Sequence, residues 1–224
     1  LEICSRTRYA VGVRRFLLLT LLALPALADE SEWKTVLSGP VTIKNRAIAG
    51  SDLREVWAEA DLKAPVRDVQ ESLLDIPAYR SFMPFAKESR NLSEKQADGA
   101  FFSYIMLDLP IVGKRDYILR TVLQDSVAAD SRGVFKYRWT AHPEYMPERE
   151  GISRIKMNTG SWEVTPSADG KGCHAVYRFA IDPGGWLPAF AVNFGNERGV
   201  VDTFTAVEKE AQRRRDARQA AVKQ

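Results

Sequence analysis

The chain has 224 residues, 45% apolar and 27% charged, with 14 Gly, 11 Pro and two Cys. That length and balance fit one packed domain and exclude a disulfide-built scaffold, a collagenous or low-complexity chain and a strongly charged tail protein. The formal net charge is only +3, and the amino-terminal segment accounts for it.

Arg6, Arg8, Arg14 and Arg15 precede an uncharged run from Phe16 to Ala28 that ends Ala26-Leu27-Ala28. The run has 13 residues, short of the ~20 that a helix needs to cross a bilayer. Basic flank, short apolar stretch and small-residue ending predict a signal peptide over residues 1–28, cut after Ala28, and an exported, periplasmic product starting at Asp29. Without that segment the 32 basic side chains lose four arginines and the 29 acidic ones lose Glu2, so the two signs balance. A nucleic-acid partner, which needs a basic stripe to displace counterions, is therefore not expected.

Beyond this segment strands dominate. Alternation is cleanest from Val134 to Ala141, where Phe135, Tyr137, Trp139 and Ala141 are interleaved with Lys136, Arg138 and Thr140. This pattern marks a half-buried antiparallel strand. Val56, Ala58, Ala60 and Leu62 repeat it, as do Ala175, Tyr177, Phe179 and Ile181, and further strands are expected near 41–48, 86–93, 100–108, 115–124 and 152–165. Gly50-Ser51, Asp98-Gly99, Ser131-Arg132-Gly133 and Asp169-Gly170 supply the turns. Pro65 opens a short helix with Val66, Val69, Leu73 and Leu74 on one face, and a further helical turn runs from Pro77 to Met83. After Pro188, the spacing of Phe190, Phe194, Val201, Phe204, Val207 and Ala211 predicts a helix of about 25 residues. Two short helices early in a run of antiparallel strands, closed by one long helix, predict an α+β domain over 29–214, its curved sheet wrapped on that helix, with a charged tail over 215–224.

No nucleophile elbow, zinc signature, P-loop or Cys-x-x-Cys occurs. Neither His142 nor His174 belongs to a recognisable constellation, and no catalytic residue, metal or cofactor is assigned. Cys173 shares the parity of Ala175 and Tyr177 and is expected to pack as a small hydrophobe.

Three stretches carry a resemblance. Pro77–Phe85 (PAYRSFMPF), Val112–Val122 (VGKRDYILRTV) and Ile181–Phe204 (IDPGGWLPAFAVNFGNERGVVDTF) resemble, in that order, the helix-to-strand passage, the central Arg-Asp-aromatic strand and the last-strand-to-helix junction of START domains, the steroidogenic acute regulatory-related lipid transfer family. The resemblance covers Trp33 to Arg214 and implies a helix-grip fold holding one lipid or other hydrophobic small molecule between sheet and helix, with transfer between membranes and transient membrane contact. Where some sterol-binding relatives face an acidic residue with an arginine, the corresponding positions hold Ile105 and Thr121, a departure from the sterol pattern.

Strand parity alone leaves two readings of the aromatics, an ordinary core or a ligand cavity, and the resemblance favours the cavity. Its expected lining is Tyr117, Leu119, Tyr137, Trp139, Tyr177 and Phe179 from the strands and Phe190 and Phe194 from the helix. Ser103, Ile105, Thr121 and Asn193 join them as polar or positionally matched residues. Arg115 shares the inward parity at the strand's start. Asp116 and Arg120 alternate outward and are expected to be surface charges, and Arg213-Arg214-Arg215 a solvated helix end. Two alternatives stay open: a cyclase/aromatase enzyme on the same fold, and an interaction protein whose cavity its own side chains fill.

Overall fold

A computed structural model of the chain describes residues 32–110, 112–128, 132–184 and 189–223, with side chains from 197 onward in the last segment. The expected signal peptide and the side chains of Phe190, Asn193 and Phe194 lie outside the described residues.

The described strands are β1 (Lys34–Leu37), β2 (Val41–Ala47), β3 (Arg54–Leu62), β4 (Ala86–Asn91), β5 (Ala100–Leu109), β6 (Gly113–Asp125), β7 (Phe135–Ala141), β8 (Ser153–Arg154), β9 (Met157–Pro166) and β10 (Cys173–Asp182). They form one sheet in the order β1-β2-β3-β10-β9-β7-β6-β5-β4, with β8 lying parallel to β6 off this path. Every other pairing is antiparallel, and the last strand closes onto the third, Tyr177 opposite Ala58. The expected 152–165 strand is thus two strands, separated at Ile155 and Lys156.

Helix α1 (Val66–Leu74), a 3-10 turn (Ile76–Ala78) and α2 (Tyr79–Phe82) sit between β3 and β4, and α3 (Ala189–Val222) follows β10. In α3, Val200, Phe204, Val207 and Ala211 recur every three or four residues, and this buried stripe packs into one core with Val41, Ile43, Ala58, Ala60, Trp162, Val164 and Ala175 of the sheet. The concave face therefore grips the helix, giving the α+β helix-grip architecture.

Helix α3 has 34 residues, longer than expected, and runs on through the residues expected to form a charged tail. The reason is an acidic row on α1 and the turn after it. Arg218 pairs with Asp68 and Glu71, and Arg214 with Asp75 at 2.6 Å, so the last turns are held by partners 139, 147 and 150 positions earlier in the chain. Arg214 is not a solvated helix end.

The outer face has its own cover. Phe102, Tyr104, Met106 and Ile118 pack beneath Leu92, Met146 and Ile152. Asp116, expected to be a surface charge, is completely buried there with Arg154.

Candidate ligand-binding site

The register of β5, β6 and β7 determines which side chains share the concave face. Ile105 stands opposite Tyr117, Ser103 opposite Leu119, and Phe101 opposite Thr121, which in turn faces Trp139 on β7. Tyr137 pairs with Trp162, and Trp162 with Tyr177 of β10. Because neighbours in register share a face, Ser103, Ile105, Tyr117, Leu119, Thr121, Tyr137, Trp139, Tyr177 and Phe179 all lie on the helix-facing side of the sheet.

The rings form a continuous wall. Tyr137 and Trp139 have centroids 5.6 Å apart, Trp139 and Tyr177 5.9 Å, Trp162 stacks on Tyr177 at 4.4 Å, and Phe204 of α3 meets Trp162 at 5.1 Å. Such pairs add about 0.5–1.5 kcal/mol each beyond the area they bury. Gly160 makes the wall possible. A Cβ there would fall 2.3 Å from Cζ2 of Trp139 and 2.4 Å from the carbonyl oxygen of Arg178, so only glycine lets the indole lie across the strand. Nε1 of Trp139 then donates to Oδ1 of the buried Asn158 at 2.9 Å. Neither Gly160 nor Asn158 belongs to the expected lining, although a glycine inside a strand is a sequence signal for close approach.

Apart from Arg115 at the start of β6, polar groups on this face are few and uncharged. Oγ of Ser103 is buried without a hydrogen-bond partner. The Tyr79 hydroxyl donates to the carbonyl of Leu73 at 2.6 Å, and the Tyr137 hydroxyl faces Tyr79. Tyr79, absent from the expected lining, comes inward because α2 packs on Ile105 and Tyr117. Burial raises the pKa of Tyr79, Tyr117, Tyr137 and Tyr177 well beyond the phenol range, so all four remain protonated. Tyr117, Leu119 and Tyr177 nevertheless keep accessible surface. They are the half-buried members of an otherwise closed aromatic and aliphatic face. Cys173 is different: it is buried in the packed end of the core, where desolvation pushes its thiol up to about 12.

Arg115 occupies the inward parity but at the start of β6. It is buried and donates from Nε to the carbonyl of Pro183 at 2.9 Å, from Nη2 to that of Gly184 at 3.4 Å, and from Nη1 to that of Val112. Desolvation lowers its pKa. Its place is a clamp on the passage from β10 towards α3.

Two clefts flank α3. One, about 500 Å³, lies between Phe82, Pro84 and Phe85 and the helix residues Asp202, Lys209 and Arg213; the other, about 340 Å³, lies between Leu37, Val41 and Leu62 and the helix residues Val201, Phe204 and Glu208. Among the described residues no cluster of three or more metal-ligating side chains occurs.

A family model described as polyketide cyclase/dehydrase and lipid transport matches residues 62–207. The chain belongs to this family. Within it, the START resemblance of the three sequence stretches holds. The phosphatidylcholine transfer protein of Rattus norvegicus is 27% identical over 131 residues, 57% of this chain and 58% of that protein, and the Mus musculus protein is 26% identical over the same length. The chain thus matches just over half the length of these curated relatives. The STAR-related lipid transfer protein of Xanthomonas axonopodis, solved as a fragment, superposes with a TM-score of 0.69 at 28% identity, covering 80% of this chain and 98% of that one. Human STARD10 has a TM-score of 0.70 at 18% identity, covering 85% and 77%, and the Zhui aromatase/cyclase of a Streptomyces species 0.53 at 21%, covering 72% and 95%. At those identities the last two show the fold alone.

Proposed function

We propose that this START-family chain holds one hydrophobic ligand, a lipid, in the hollow between its concave sheet and α3, and carries it between membranes without altering it. The observation that carries this reading is the condition of Tyr117, Leu119 and Tyr177, which lie on the concave aromatic face among buried neighbours and yet keep accessible surface. Apolar and aromatic walls with few polar groups are the usual lining of a site for an apolar molecule. The lipid-transfer names of its relatives point the same way.

Transfer requires the ligand to leave. Helix α3 sits between two clefts, and its described grip on the sheet is the stripe Val200, Phe204, Val207 and Ala211. The basic flank and short apolar run of residues 6–28 support export, and with it a periplasmic place of action.

The reading is tested with donor and acceptor vesicles. Protein collected from the periplasm and sequenced from its amino terminus should begin at Asp29, and it should speed the movement of a labelled lipid between the two vesicle populations while the lipid's mass stays constant. Full-length protein in the cytoplasm would overturn the export proposal. A changed ligand mass would point instead to the cyclase type of activity, and no transfer of any lipid class would remove the carrier role.

A further inference from the structure

We propose that the turn carrying Phe85, with the stretch of α3 that faces it, is the part of the molecule that docks on an anionic lipid surface. This inference rests on the proposed carrier role and names where that role meets a membrane.

Phe85 carries the argument. Met83, Pro84, Phe85 and Ala86 form a β-turn, closed by the Ala86 N–H donating to the Met83 carbonyl at 3.3 Å. The second residue is proline and the third, Phe85, has a φ of 62°, the type II arrangement, whose third position normally holds glycine or asparagine. Among the described residues Phe85 is the one non-glycine with a positive φ. A bulky residue in that conformation sets its Cβ against the following carbonyl oxygen, a strain that persists only where the surroundings enforce it. Here they do: the Asp108 N–H donates to the Phe85 carbonyl at 2.9 Å, and Ala86 is buried opposite Leu107. The strain secures no core contact, because Phe85 is 37% exposed. Glycine would close the same turn without strain. Neither burial nor backbone geometry accounts for the ring, and contact with something outside the chain does.

A cleft of about 500 Å³ separates Phe82, Pro84 and Phe85 from Ala206, Lys209 and Arg213 of α3. Most of the charges around it pair off. Arg213 and Arg214 share Glu210, Arg214 also reaches Asp75, and Arg198 lies 3.9 Å from Asp202. Lys209 on the cleft has no carboxylate within ion-pair distance among the described residues, and neither have the exposed Arg80 and Lys87, which flank the turn in the chain. A lipid surface satisfies both features at once. It offers an apolar layer at headgroup level, where aromatic rings settle, and phosphates that attract lysine and arginine.

Flotation with vesicles tests this on the chain from Asp29 onward, which holds every described residue. The vesicles are phosphatidylcholine alone and equal parts phosphatidylcholine and phosphatidylglycerol, each at low and high salt. Binding should be several-fold stronger to the anionic vesicles, an advantage that high salt removes. Phe85→Asn should weaken binding several-fold yet melt at or above the parent's temperature, since asparagine accepts a positive φ more readily than phenylalanine. Lys209→Gln should weaken binding to the anionic vesicles alone. Val36→Ser alters a side chain as exposed as Phe85, but on β1, the edge strand opposite β4, and should bind like the parent. All three variants should keep the lipid that the parent carries, read as a mass excess by native mass spectrometry. A parent that carries lipid but floats with neither vesicle, undiminished binding in both Phe85→Asn and Lys209→Gln, or an equal loss in Val36→Ser would overturn the docking face and leave ligand holding intact. A parent that floats through Phe85 but takes up no lipid would support the docking face and overturn the ligand-holding reading instead.

Discussion

Arg154 grips Asp116 by two hydrogen bonds, Nε to Oδ1 at 2.6 Å and Nη2 to Oδ2 at 3.1 Å, and neither side chain is exposed. The same guanidinium donates to the carbonyls of Pro143, Met146 and Pro147. The pair thereby straps the segment after β7 over the outer face of β5 and β6, on the opposite side of the sheet from Tyr117 and Leu119. Asp116→Ala leaves the cation buried without its counterion and should cost about 3–5 kcal/mol. Replacing both residues by apolar ones of similar size should restore little, since three carbonyls lose their donor. Urea denaturation of the single and double variants measures this; a single variant within 1 kcal/mol of the parent, by the ~0.5 kcal/mol scale of ordinary surface changes, would mean the strap contributes little.

Gly160→Ala should destabilise the protein by roughly 1–3 kcal/mol, the usual cost of overfilling a packed site. One of the two close contacts of the added carbon is the backbone oxygen of Arg178, which cannot swing aside as a side chain can. The Trp139 indole should be displaced from Asn158, shifting the tryptophan emission in parallel with the loss in melting temperature. An unchanged spectrum with unchanged stability would show that the strand yields instead.

Gly199 lies on α3 where an added Cβ meets no atom within 4 Å. Close approach of the helix to the sheet therefore does not explain this glycine, and Gly199→Ala should stabilise the protein by up to ~1 kcal/mol through helix propensity. If helix freedom serves ligand exchange, the stabilised variant should also exchange lipid more slowly. A destabilised variant with unchanged exchange would sink that connection.

The strands were legible because alternation is a local signal. Phe135, Tyr137 and Trp139 announce their shared face within seven residues, and the register carries it across β6, β9 and β10. Long-range pairings were hidden. Asp116 reads as an outward charge until Arg154, 38 positions later, folds over it. Arg214 reads as a solvated helix end until the acidic row of α1 meets it. Arg115 had the parity of a lining residue, but its position at the β6 start set it against the carbonyls of Pro183 and Gly184. Tyr79 was overlooked because a single turn of helix has no period from which to read an inward face.

Acid should weaken the ion pairs that Glu210 makes within α3. The Arg213 guanidinium beside Glu210, seconded by Arg214 and opposed by burial, holds the Glu210 carboxyl below its ordinary value. A folded-state pKa depressed below the unfolded ~4.3 contributes stability at neutral pH that is lost as pH falls through the folded value. The parent should therefore be more stable than Glu210→Gln at pH 7 (about 3 units above that carboxylate range), with the gap closing in acid as the glutamate is protonated. Thermal melts of both across the acid range check this; a gap independent of pH would contradict it.

Leu119 keeps accessible surface on the concave face, opposite Ser103 and Ala141, so Leu119→Trp is the substitution that fills the proposed ligand space most directly. Native mass spectrometry of parent and variant, each before and after organic extraction, compares their bound material. A ligand-holding hollow predicts a mass excess on the parent that extraction removes, little or none on the variant, and melting temperatures that agree for the two emptied proteins. A bare parent that takes up no added lipid, together with a variant destabilised by the ~1–3 kcal/mol of an overfilled core, would show that the space is packed and contradict the carrier role.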